Sequence, residues 1–205
     1  LVVFNVFVSV KKGENIFFTY LCFHYQFRKE RDMEKKKMLL VVDPQIDFVS
    51  GSLPVPGAAE AMIALAHYIR KHENTYAIRI VTADWHPYHH SSFKEEGGTW
   101  PRHCVQHSKG AALYTPILKA LNEVRGGFTL LYKGDSIDKD EYSIMQNDNS
   151  AGLLGRLIMG LGIEQIDICG LAGDVCVAST AHDLEEMLGK EMVNVLEEYA
   201  PRIES

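Results

Sequence analysis

The 205-residue sequence has no CxxC pair, no regular framework of cysteines and no uninterrupted apolar run near the ~18 residues of a membrane span. Its four cysteines, Cys22, Cys104, Cys169 and Cys176, are therefore read as reduced thiols in a cytoplasmic protein, and a structural disulfide is not expected. Basic runs long enough to track a phosphate backbone are also missing. With 21 Lys and Arg against 27 Asp and Glu, the net charge is -6, which argues against nucleic acid as a partner. There is no internal repeat and no low-complexity tract. What is present is core material: 46% of residues are hydrophobic and 23% charged, enough for one domain in a chain too short for two.

The sequence starts with Leu1, and the apolar blocks of residues 1–32 are broken by Lys11, Lys12, Glu14 and Asn15. A signal peptide would place its cations before the apolar region, whereas Arg28, Lys29 and Arg31 follow it. We read 1–32 as a non-native or disordered extension and Met33 as the natural start, the alternative being a real extension that covers a surface or a partner. Residues 33–205 form the expected domain, short at its end because only nine residues follow Leu196.

Short apolar segments rich in β-branched residues recur at 38–42, 76–83, 128–132, 165–169 and 192–196. Segments with helical periodicity alternate with them at 58–71, 113–124, 152–159 and 175–188. Strict alternation of this kind predicts an α/β three-layer sandwich around a central, mainly parallel sheet. Ligands of such sheets bind outside the carboxyl ends of the strands. The loops that start near Asp43, Asp84, Lys133 and Gly170 are thus expected to converge on one site.

Each of those loops carries reactive residue types. The first, Asp43-Pro44-Gln45-Ile46-Asp47-Phe48, offers two carboxylates four residues apart, a weak signal taken alone. The second, Asp84 to His90 followed by Trp100-Pro101-Arg102-His103-Cys104, brings one carboxylate and several imidazoles together, a donor set suited to zinc, iron or manganese. A third has Lys133 at a strand tip, ahead of Gly134 and the polar stretch to Glu141-Tyr142-Ser143. The fourth, Gly170 to Val177, leads from a strand into a helix with Cys176 near the helix start, where the dipole lowers a thiol's pKa. The small residues before Cys176 let backbone N–H groups approach a developing oxyanion. Cys169, inside an apolar strand, should be inert by the same reasoning.

Taken in chain order, these clusters resemble the isochorismatase-like cysteine hydrolases, and among them the nicotinamidase family, from about Met38 onward. The motifs that carry the likeness are D-x-Q-x-D-F at the first strand end, D-W-H-P-x-x-H-x-S-F from Asp84 to Phe93, W-P-x-H-C from Trp100 to Cys104, and A-x-D-x-C-V from Ala172 to Val177. The resemblance implies a catalytic triad of Asp43, Lys133 and Cys176, with Cys176 as nucleophile and a thioester intermediate. It implies an oxyanion hole of the Ala172 and Cys176 amides beside a cis Leu171–Ala172 peptide, and aromatic walls from Phe48 and Trp100. Asp84, His86 and His103 would hold one divalent metal, zinc in the first place, with iron or manganese as alternatives. The implied reaction is hydrolysis of nicotinamide, with pyrazinamide as a further substrate, in a homo-oligomer that needs no membrane. A sister amidase acting on a carbamoyl or maleamate-type amide is the alternative. One departure stands out: Gly173 occupies a position where many relatives have threonine.

Overall fold

In the computed structural model, which describes residues 35–204, the chain folds around five strands. The expectation for residues 1–32 and for Met33 lies outside the described residues. Strand β1 (Lys37–Val42) leads to a short helix α1 (Ile46–Val49), then α2 (Ala58–Lys71) and β2 (Tyr76–Asp84). Helix α3 (Thr115–Glu123), β3 (Thr129–Lys133), α4 (Asp148–Leu161), β4 (Gln165–Gly170), α5 (Ala178–Leu188) and β5 (Val193–Val195) follow. The sheet order is β3-β2-β1-β4-β5 and every pairing is parallel. The sheet expected to be mainly parallel is thus wholly so.

β1 has helices over both faces, and its run of buried residues from Met38 to Val42 shows it. Alternate side chains point in opposite directions along a strand. Leu39 and Val41 therefore join Met62, Leu65 and Ile69 of α2 and Ile117 and Leu121 of α3 on one face. Met38, Leu40 and Val42 join Leu154 and Ile158 of α4, Val177 just before α5, and Ala181 and Leu184 of α5 on the other. Burying one Leu or Ile side chain in either layer contributes about 1.5–3 kcal/mol. These two layers are the glue of the three-layer sandwich.

Helix α4 begins four residues before the expected Gly152, because Asn147 caps it by accepting a hydrogen bond from the Ser150 amide at 3.1 Å. It stops at Gly162, whose φ of 63° suits glycine. The helix expected from Val175 also starts differently. Gly173–Val177 form a π-helical turn that runs directly into α5. After β5 the chain makes a 3-10 turn at Glu197–Tyr199 and continues to residue 204 with no further α-helix among the described residues. No described helix is long and apolar enough to cross a membrane.

Strand order reverses between β1 and β4, since β2 and β3 extend the sheet on one side of β1 and β5 on the other. A crevice forms at such a switch point, at the carboxyl end of the strands. Asp43 follows β1, Gly170 ends β4, and Asp84 and Lys133 face each other in register at the ends of β2 and β3.

Candidate active site

Lys133 is the hub of the site, and none of its surface reaches solvent. Its Nζ lies 2.9 Å from Asp43 Oδ2, 3.5 Å from Cys176 Sγ and 3.2 Å from the Glu141 carbonyl oxygen, and it donates a short hydrogen bond to Asp84 Oδ1. Asp43 is equally buried and adopts a positive φ of 45°, which turns its carboxylate across the end of the sheet. Its Oδ1 accepts from Thr82 Oγ1 at 2.6 Å. Its Oδ2 has an ionic contact with Lys133 but no aligned hydrogen bond within the protein. Carboxylate oxygens of Asp43 and Asp84 and the Cys176 sulfur all lie within 4.8 Å of one another.

Burial disfavours charge on each of these groups, and their mutual attraction opposes it. For Lys133 the two carboxylates outweigh burial, so its pKa rises well above the usual lysine range and it stays cationic. Burial also raises Asp84, but Lys133 and then His86 reverse the effect and hold it ionised, well below the usual carboxylate range. Asp43 remains raised by burial, which Lys133 offsets only in part. Cys176 corrects the expectation from helix position: burial, helped by Asp43 and Asp84, pushes its thiol well up against the pull of Lys133. Burial thus favours the neutral thiol, and a neighbouring base, rather than the helix dipole alone, would be needed to form the thiolate.

The metal candidates form an adjoining cluster. His86 Nδ1 faces the Gly134 carbonyl at 2.9 Å and His103 Nδ1 faces the Pro101 carbonyl at 2.8 Å. A carbonyl can only accept, so both Nδ1 atoms carry a proton, and in the neutral rings Nε2 is the atom left to bind a metal. Those Nε2 atoms lie 3.5 Å and 3.9 Å from Asp84 Oδ2. Three buried donors that converge within 4.8 Å, each imidazole fixed by a carbonyl behind it, fit a divalent cation. The charge of Asp84 raises His86 above its ordinary value despite burial, whereas burial lowers His103.

Gly134 makes this packing possible. At its φ of 66°, an added Cβ would lie 2.4 Å from His86 Cε1. Gln45 fixes the backbone of Asp84 from the other side, as its side-chain amide accepts from the Asp84 N–H and donates to the Asp84 carbonyl, both at 2.8 Å.

Asp47, the second acid of the first motif, lies outside the charged cluster. Its carboxylate holds the amides of Ser52 at 3.1 Å and Cys104 at 2.8 Å, tying the His103 loop to α1. His90 is buried against His86 with ring centroids 4.2 Å apart, yet its two nitrogens are engaged by Ser92 Oγ at 2.7 Å and the Lys139 carbonyl at 3.1 Å. Cys169 is buried in β4 with its pKa raised by burial, the inert environment expected for it.

The Cys176 sulfur and the Asp84, His86 and His103 donors open onto one cleft of about 380 Å³, open mouth included. Phe48, Trp100, His86, His103, Asp84, Ala172 and Cys176 line it, while Asp43 and Lys133 stand behind the sulfur. The Leu171–Ala172 peptide is cis, as the resemblance implies. On either side of Ala172 the amides of Leu171 and Gly173 donate to the Val42 and Pro201 carbonyls. The cleft also uses Leu53, Val175, Asp140, Glu141, Tyr142 and Ile203, which the sequence motifs did not single out as lining residues. Tyr142 could have been found from its place in the polar loop after Lys133. It accepts a hydrogen bond from Trp100 Nε1 at 3.1 Å. Ile203 had no sequence signal at all.

A doubly wound parallel sheet that gathers an acid, a lysine and a thiol at its switch point defines a class of α/β hydrolytic protein. A family model described as the Isochorismatase domain matches residues 37–187, and the chain belongs to that family. It is 31% identical to the nicotinamidase of Escherichia coli over 78% of this chain and 80% of that protein. Among solved structures it is similar to the pyrazinamidase of Pyrococcus horikoshii in complex with zinc, at 34% identity and a TM-score of 0.71, covering 82% of this chain and 88% of that one. PnC1 of L. infantum, solved in complex with nicotinate, is 32% identical with a TM-score of 0.70 and 84% coverage of each chain.

Proposed function

We propose that this protein is a nicotinamidase, a metal-assisted cysteine amidohydrolase that converts nicotinamide to nicotinate and ammonia. The observation that carries this reading is the position of the Cys176 sulfur: 3.5 Å from Lys133 and within reach of Asp43, in the same cleft as the Asp84, His86 and His103 donors. The names of the relatives supply the substrate, and the donor set and aromatic lining of the cleft are compatible with it.

Cys176 is the nucleophile. Asp43 takes the thiol proton as Sγ attacks the carboxamide carbon, and Lys133 keeps the two acidic groups in place and lowers the cost of negative charge on sulfur. The amides of Ala172 and Cys176 receive the oxyanion. When the C–N bond breaks, Asp43 returns its proton to the departing nitrogen, so ammonia leaves and a thioester remains. Water then adds to the thioester carbon, Asp43 accepts a proton from it, and the acid is released as the thiol is restored. Phe48 and Trp100 hold the flat ring between them. A divalent metal on Asp84, His86 and His103, zinc by analogy with the Pyrococcus relative, would offer an open coordination position to a ring nitrogen or to water.

Ammonia release from nicotinamide is the test, run with and without a chelator and with Cys176→Ala. We expect chelator-sensitive release that falls by ~10⁴-fold or more in the variant. Wild-type rates in Cys176→Ala would reject the mechanism, and a folded, metal-loaded protein silent on nicotinamide would reject the substrate.

A further inference from the structure

The chain that follows β5 returns to the turn carrying Cys176 and is fastened there. Asp174 accepts the amide of Ile203 on Oδ1 at 3.0 Å and the amide of Glu204 on Oδ2 at 2.9 Å. Gly173 donates to the Pro201 carbonyl at 2.8 Å. The approach is close enough to exclude a side chain, since a Cβ on Gly173 would lie 2.1 Å from the Ala200 carbonyl oxygen and 3.0 Å from its carbon. The glycine that departs from the threonine pattern thus has a steric reason here. Fastened this way, the segment sets Ile203 into the cleft wall with Val175 and Cys176, half-buried and packed on the core layer that contains Phe48.

We propose that Ile203 is a specificity-determining residue that closes one wall of the cleft, and that Asp174 is the positioning residue that holds it there. The proposal rests on the amidase reading for the identity of the substrate. A branched aliphatic side chain in the wall leaves room for a bare six-membered ring and rejects rings with added alkyl groups. Asp174 acts only through the two amides it anchors, so its influence on selectivity passes through Ile203.

The test compares kcat/KM for nicotinamide with that for 5-methyl- and 6-methylnicotinamide in the wild type, Ile203→Ala, Ile203→Phe, Asp174→Ala and the Asp174→Ala/Ile203→Ala double variant. Ile203→Ala is expected to raise the methylated-to-bare ratio for at least one isomer by about tenfold or more, the scale of one methylene in an apolar pocket. Ile203→Phe moves the ratio the other way. Asp174→Ala raises it by less and adds nothing in the double variant, the mark of an effect transmitted through one partner. An unchanged ratio in Ile203→Ala overturns the specificity role, and full additivity in the double variant overturns the positioning role.

A second readout does not depend on turnover. Cys176 alkylation by iodoacetamide and by the bulkier N-ethylmaleimide, followed by mass spectrometry, should show the maleimide gaining on iodoacetamide in Ile203→Ala. If wild type releases no ammonia from nicotinamide, the substrate reading falls, and the alkylation ratio still decides whether Ile203 is the wall. An unchanged alkylation ratio overturns it.

Discussion

Two buried carboxylates, Asp43 just beyond β1 and Asp167 within β4, are surrounded in opposite ways. Asp167 accepts from three neutral donors, Tyr76 Oη at 2.9 Å, Gln165 Nε2 at 2.8 Å and Asn194 Nδ2 at 2.8 Å. Both of its oxygens are satisfied, and no buried cation or thiol is among those partners. Asp43 has one oxygen satisfied by Thr82, the other held only by charge against Lys133, and a thiol nearby. A satisfied carboxylate stabilises the fold and has no reason to move a proton. An incompletely bonded one, beside a cation and a thiol, costs stability and is poised to exchange a proton.

Substitutions on either side of this comparison should therefore separate activity from stability. The largest effect belongs to Asp43→Asn, which keeps the shape and removes the base. Ammonia release is expected to fall by ~10²–10⁴-fold with an unchanged circular dichroism spectrum, and a loss of only a few fold would deny Asp43 its proton-transfer role. Gly134→Ala comes next, because the added methyl group collides with the His86 ring. Metal affinity should weaken by ~10–100-fold, read as metal content after dialysis against graded chelator, and full retention would argue against His86 as a ligand.

On the structural side, Asp167→Ala removes the shared acceptor of Tyr76, Gln165 and Asn194 and leaves the Tyr76 hydroxyl with Tyr68 as its one remaining side-chain partner. A loss of about 1–3 kcal/mol in urea unfolding is expected, with kcat/KM for nicotinamide unchanged. A drop in kcat/KM with intact stability would show that the two carboxylates are not divided as described. The smallest effect is that of Cys169→Ala. About 1 kcal/mol of packing is expected to be lost, with the rate of alkylation at Cys176 unaltered. Equal labelling of Cys169 and Cys176 in the native wild type would remove the contrast between an inert strand thiol and a reactive cleft thiol.

Much of this architecture was legible beforehand. Short apolar runs rich in β-branched residues marked all five strands to within a residue or two, because a parallel strand covered on both faces has little room for polar residues. Helix edges were less legible. The start of α4 depends on the Asn147 cap, and the π-helical turn at Gly173–Val177 leaves no periodic trace. The residues Asp43, Asp84, His86, His103, Lys133 and Cys176 could be named in advance because they stand in the motifs that carry the family resemblance, and Asp43, Asp84 and Lys133 also lie at strand ends, where an α/β sheet exposes its functional side chains.

Residue types and their order along the chain determined the fold class, the convergence of four loops and the residues that could share a site, since those follow from local periodicity and from the handed, parallel winding of the sheet. Only the tertiary structure decided how the groups bias one another's charge, why position 173 is glycine, and that Ile203 reaches the cleft. Each of these depends on burial and on distances between segments far apart in sequence, such as the 2.1 Å approach that position 173 would force on Ala200. Burial and long-range distance exist only once the chain has folded.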